Sequence, residues 1–125
     1  VKIEDKDKIE LLLRMLSEAE EYIEKGDPIQ ASEKLYKASE EAIKELARRF
    51  ELSEYEEAER NGRWTTTLLF KAVRRLSERV KPEILDWWTQ AWLLHVEGFH
   101  EARLDMEEVK VRVSRIKELV NLLWK

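Results

Sequence analysis

The 125 residues contain no cysteine, which excludes disulfides, thiolate metal sites and cysteine nucleophiles. Glycine (3) and proline (2) are nearly as scarce, leaving little turn chemistry and predicting helices joined by short connections. Asparagine and glutamine occur only at Gln30, Asn61, Gln90 and Asn121, while 40% of the chain is charged. That balance is the one hyperthermophile proteins tend to show. No apolar run reaches the ~20 residues of a membrane span. The opening VKIEDKDKIE lacks the apolar core of a signal peptide. A soluble, cytoplasmic protein with no membrane contact is expected, folded as a single domain over 1–125 with a core of real size.

What is present is charge, unevenly placed. The net charge of -4 divides into -8 over residues 1–59, +6 over 60–81 and -2 over 82–125. An anionic partner would therefore meet the middle segment first.

Hydrophobic periodicity predicts helices throughout. Ile9, Leu12, Leu16, Ala19 and Ile23 follow a 3-4 seam, so a first helix is expected from Asp5 or Asp7 to Lys25, stopped by Gly26. Asp27-Pro28-Ile29-Gln30 offers an N-cap, a first-turn proline and a capping-box glutamine for a second helix to about Phe50. The turn between them is so short that the two must form an antiparallel hairpin. Residues 51–63 read as a polar, mobile connection with one or two helical turns. A third helix starts at one of Thr65, Thr66 or Thr67 and runs to Val80. Its outer side carries Lys71, Arg74, Arg75 and Arg79, either a solvated ridge balancing the acidic hairpin or a phosphate or RNA contact surface. The last helix begins at Asp105, with Met106, Val109, Val113, Ile116, Val120 and Leu123 inward. Leu119, Leu122 and Trp124 add a second apolar patch that points to a homodimer.

The stretch Pro82–Arg103, PEILDWWTQAWLLHVEGFHEAR, holds three of the five tryptophans and both histidines. At about 100° per residue, Ile84, Leu85, Trp88, Ala91, Trp92, His95, Val96, Phe99 and Ala102 share one face. It reads as the central helix of the bundle, with Trp92 a core residue whose truncation would cost about 3–5 kcal/mol. His95, on the apolar face, reads as a satisfied core histidine. His100 lies on the polar side, where Glu97, His100 and Arg103 make a candidate functional cluster. Di-iron bundles use two Glu-x-x-His pairs and two further glutamates. Glu97 and His100 supply one pair only, so neither a metal site nor a cofactor is expected.

Two segments, GDPIQASEKLYKASEEAIKELA and WLLHVEGFHEARLDMEEVKVRV, resemble the PaREP-type family of crenarchaeal proteins, which is similar to the HEPN superfamily of helical bundles. The resemblance implies an all-α, up-and-down bundle of four long helices plus a short one, often dimeric. Many HEPN domains are metal-independent ribonucleases that use an arginine, four to six intervening residues and then a histidine. No arginine stands at those positions before His95 or His100; Arg103 follows instead. The expected function is thus a dimeric, non-catalytic HEPN-like binding or interaction domain. The alternatives are a divergent ribonuclease or nucleotide-acting domain, and an antitoxin-like partner of a separately encoded nucleotidyltransferase.

Overall fold

The computed structural model describes the chain from Ile3 to Trp124, so residues 1, 2 and 125 of the expected domain lie outside the described span. Every regular element among the described residues is helical. Helices α1 (Ile3–Glu24) and α2 (Pro28–Arg49) form the hairpin expected from the Gly26-Asp27 turn. Gly26 takes a left-handed φ of 76°, where a Cβ would be strained, and so ends α1. The Asp27 carboxylate accepts from the Gln30 amide at 3.0 Å and starts α2.

The segment expected to be a mobile connection holds a nine-residue helix, α3 (Ser53–Asn61). It is tied down by buried Leu52 and Ala58, and by Glu54, which accepts from Arg75 Nε at 2.7 Å. Helix α4 (Thr66–Arg79) is capped by Thr65, whose hydroxyl accepts from the Leu68 amide at 3.2 Å. Helix α5 (Glu83–Leu93) runs directly into a π-helical segment, Leu94–His100. The expected last helix is two, α6 (Met106–Lys110) and α7 (Val113–Asn121), parted by a turn at Val111–Arg112. Asp105 caps α6 through the Glu108 amide at 3.0 Å. Across the break the seam survives, with Val109, Ile116, Val120 and Leu123 all buried.

The centre of the molecule is α2, a correction to the reading that placed the tryptophan-rich segment there. Helix α2 packs against every other element. Half of its 22 residues are buried, and Ala31, Ser32, Ala38, Ser39, Ala42 and Ala47 among them are fully so. Only short side chains let backbones approach a helix from several sides at once. The tryptophans are too wide for that position and form a layer outside it. There Trp88 meets Tyr36 of α2 at 5.8 Å and Phe70 of α4 at 5.9 Å, centroid to centroid.

Two residues of the expected apolar face are in water: Leu85 is 50% exposed, and Ala102 lies past the helix end with a left-handed φ of 53°. The second apolar patch near the C-terminus is largely absorbed. Leu119 and Leu123 are buried, Leu122 is half-buried, and Trp124 alone of that group stands exposed.

Trp92 is only partly buried whereas Trp88 is 2% exposed. The aromatic truncation cost therefore falls on Trp88. Trp88→Ala is expected to lower the unfolding free energy by about 3–5 kcal/mol, and Trp92→Ala by clearly less. Urea titration of both variants checks the ranking, and a larger loss at Trp92 would reverse it.

Candidate functional site

Over Leu94–His100 the backbone widens from i→i+4 to i→i+5 pairing, seen at its end where the Glu101 amide donates to the Val96 carbonyl at 2.9 Å. In an α-helix two residues five apart point about 140° away from one another. In a π turn they stack. This change brings the two histidines together. His95 Nε2 and His100 Nε2 lie 3.1 Å apart, with the rings near perpendicular.

The turn sits where it does because of α2. Gly98 is packed so closely on Ser32 that a Cβ would collide with its hydroxyl and come within 2.6 Å of its Cβ. That approach sets His95 beside the next residue of α2: its Nδ1 is 3.0 Å from Glu33 Oε1. One helical turn away, Tyr36 stacks on the His95 ring at 3.9 Å and 22°. Burial, and then the neighbouring Glu40 and Glu33 carboxylates, raise the Tyr36 pKa well above the ordinary phenol value. It stays a neutral hydroxyl and donates to Glu40 Oε1 at 3.0 Å.

With both rings neutral, the hydrogen bonds set both tautomers. His95 donates from Nδ1 to the Glu33 carboxylate, so its Nε2 carries a lone pair. His100 fills that lone pair from its own Nε2–H, which leaves His100 Nδ1 as an acceptor on an exposed ring. Glu33, His95 and His100 thus form one chain from a half-buried carboxylate to the surface. Neither Glu33 nor Tyr36 was a sequence candidate. They stand on a helix some sixty residues away, off the inward stripe that its spacing marks, and no sequence signal pointed to them.

The expected cluster of Glu97, His100 and Arg103 is arranged differently from its helical spacing. Arg103 curls back and grips Glu97 with two hydrogen bonds, at 2.9 and 2.6 Å. That bidentate bond holds the Glu97 carboxyl below its usual pKa. Glu97 is engaged there, and His100 pairs with His95.

The basic ridge divides in two. Arg75 is held by Glu54, and Arg79 donates to the Phe50 carbonyl at 3.1 Å while lying over its ring. Lys71 and Arg74 line a groove of about 570 Å³ between α4 and α5, together with Thr66, Thr67, Phe70 and Leu85. Phe70 is 42% exposed and meets Trp92 edge-on at 5.0 Å; Trp92 in turn packs on His95 at 5.4 Å. Groove and histidine pair are therefore the two ends of one aromatic run.

The model of the archaeal PaREP1/PaREP8 family matches residues 7–120. The chain belongs to that family. A crystal structure of a protein from Sulfolobus solfataricus is 42% identical to this PaREP chain, with a TM-score of 0.83 over 90% of this chain and 92% of that one. A solution structure of the same target, also 42% identical, gives 0.78 over 90% and 87%. No curated protein matches it. No helix among the described residues is long and apolar enough to cross a membrane.

In this PaREP chain Gly98→Ala tests whether α2 imposes the π turn. Helix propensity favours alanine by up to about 1 kcal/mol, but overpacking costs about 1–3 kcal/mol, and here the obstacle is a Cβ that cannot move. A net loss of about 1 kcal/mol or more is expected in denaturant titration, with altered ring signals from both histidines. An unchanged or more stable variant would contradict the close packing.

Proposed function

We propose that this PaREP protein is a single-domain, HEPN-like binding module that acts as a homodimer and does not catalyse a reaction. The observation that carries the reading is the open α4–α5 groove, where Phe70 and Leu85, 42% and 50% exposed, stand side by side above buried Trp88. Large apolar side chains grouped around a concave surface mark an association site far more than the same side chains scattered. Lys71 and Arg74 edge the groove on α4, and exposed Glu83 and Asp86 lie on α5 outside its lining. A two-fold axis over the groove sets α4 of one copy on α5 of the other, pairing opposite signs.

Three features favour binding over catalysis. The arginine of the usual HEPN ribonuclease motif is missing, Arg103 is already neutralised by Glu97, and both Nε2 atoms of the histidine pair are turned on each other. Sedimentation at micromolar concentration should give twice the 15.0 kDa chain mass for the wild type. Leu85→Glu, a change at an exposed position, should give the chain mass alone. A wild type that sediments at the chain mass would contradict the proposal.

The Glu33–His95–His100 chain favours a second reading, a divergent ribonuclease. Here His100 Nδ1 would take the proton of a ribose 2′-hydroxyl, with Lys71 and Arg74 holding the phosphates. Labelled RNA incubated at low salt with wild type and His100→Ala separates the two. Equal, background cleavage by both removes the ribonuclease reading, and cleavage lost only in His100→Ala replaces the first reading with it.

A further inference from the structure

We infer that the facing imidazoles of His95 and His100 bind a divalent transition ion of the zinc, nickel and copper group, with Glu33 holding His95 in place from behind. The distance is the first ground. Two imidazole nitrogens each about 2.0–2.1 Å from one ion lie about 2.9 Å apart at a right-angle geometry and about 3.3 Å apart at a tetrahedral one. The two Nε2 atoms stand at 3.1 Å, within that interval, so an ion enters with little more than a small opening of the pair.

The second ground is the Glu33 carboxylate. Imidazoles that ligate metals characteristically donate their other N–H to a carboxylate or carbonyl, which fixes the tautomer and strengthens the ligating nitrogen. Glu33 Oε1 sits 3.0 Å from His95 Nδ1 and does both. Tyr36, stacked on the ring at 3.9 Å, fixes its plane. His100 needs only to exchange its Nε2 proton for one on Nδ1, losing one to solvent and gaining one there, so the net charge of the pair is unchanged when the ion replaces that proton.

The third ground is the backbone. The π turn brings residues five apart together, and within it Gly98 packs directly on Ser32. The nitrogens are therefore held close before any ion arrives. Glu97, whose spacing to His100 resembled half of a carboxylate-bridged metal site, is taken up by Arg103 and is not a ligand. Among the described residues no group of three histidine or carboxylate side chains is placed to enclose an ion. The protein thus supplies two nitrogens, and water or an anionic oxygen completes the sphere. Imidazole-only ligation selects against magnesium and calcium, which need oxygen. The inference stands independently of self-association through the α4–α5 groove.

Calorimetric titration of chelator-treated protein with Zn²⁺, and the visible absorption of bound Co²⁺, test it. Saturable binding is expected for the wild type and none for Mg²⁺. His100→Ala, at an exposed position, should abolish the saturable phase. Glu33→Gln, which touches no ion, should weaken it about tenfold or more. Equal Zn²⁺ affinity in wild type and His100→Ala, or no saturable binding by the wild type, would overturn the inference.

Discussion

Through the buried half of α2 run six side chains no larger than a hydroxymethyl group: Ala31, Ser32, Ala38, Ser39, Ala42 and Ala47. Between them stand Leu35, Ile43 and Leu46, which fill the space that the small residues leave. Such an alternation lets neighbouring backbones come close at some levels and interdigitate at others, as close-packed interiors require. The rest of the architecture follows. Helix α1 can lie along α2 because Ala19 and Leu12 meet this surface, and α4, α5 and α7 take the remaining sides. The charged groups of α2 that cannot reach water are paired. Burial alone would raise the Glu45 pKa, but Arg48 and Arg49 bind the carboxylate at 2.6 and 2.9 Å and hold it below the usual value.

The closest approach, Ser32 on Gly98, links packing to chemistry. Side chains on a straight α-helix continuing past Leu93 would carry His95 and His100 to different sides. The widened turn keeps both on the side that faces α2, next to Glu33 and Tyr36. It also leaves Ser32 Oγ buried with no hydrogen-bond partner among the described residues, a cost on the order of 1–3 kcal/mol that the surrounding packing must offset. Natural π turns are concentrated at functional sites, consistent with a strained feature being kept for what it positions. At the far end of the same aromatic run, Phe70 and Leu85 remain uncovered, so the molecule presents one polar and one apolar contact region joined by edge-on and tilted rings.

Signals confined to one turn of chain were legible from the sequence. Asp27, Thr65 and Asp105 cap the helices they were expected to cap, because an N-cap is decided by the residue and the three amides after it. The seams of α1 and of the last helical stretch were legible for the same reason of short range. Features that depend on a distant partner were not. A period of 3.6 put Leu85 on the inner face because nothing local says which side of that helix meets α2, and it could not foresee the π turn at Gly98, which packs on Ser32, sixty-six residues earlier. The weight of the tryptophans suggested a central helix, yet bulk argues against an axis that must touch every neighbour. The basic ridge was visible as composition, but Glu54 and Phe50 remove Arg75 and Arg79 from it, and nothing local announces that. Glu33 and Tyr36 carried no motif and joined the site only through packing.

Helix α2 packs on the π turn so that Glu33, His95 and His100 form a single hydrogen-bonded chain. Long-range nitrogen-15 spectra of the two imidazoles, taken on chelator-treated protein at neutral pH, read that chain directly. The prediction is His95 as the less common Nδ1–H tautomer and His100 as Nε2–H, with contacts between the two rings. Both rings in the Nε2–H form, with no contact between them, would contradict it.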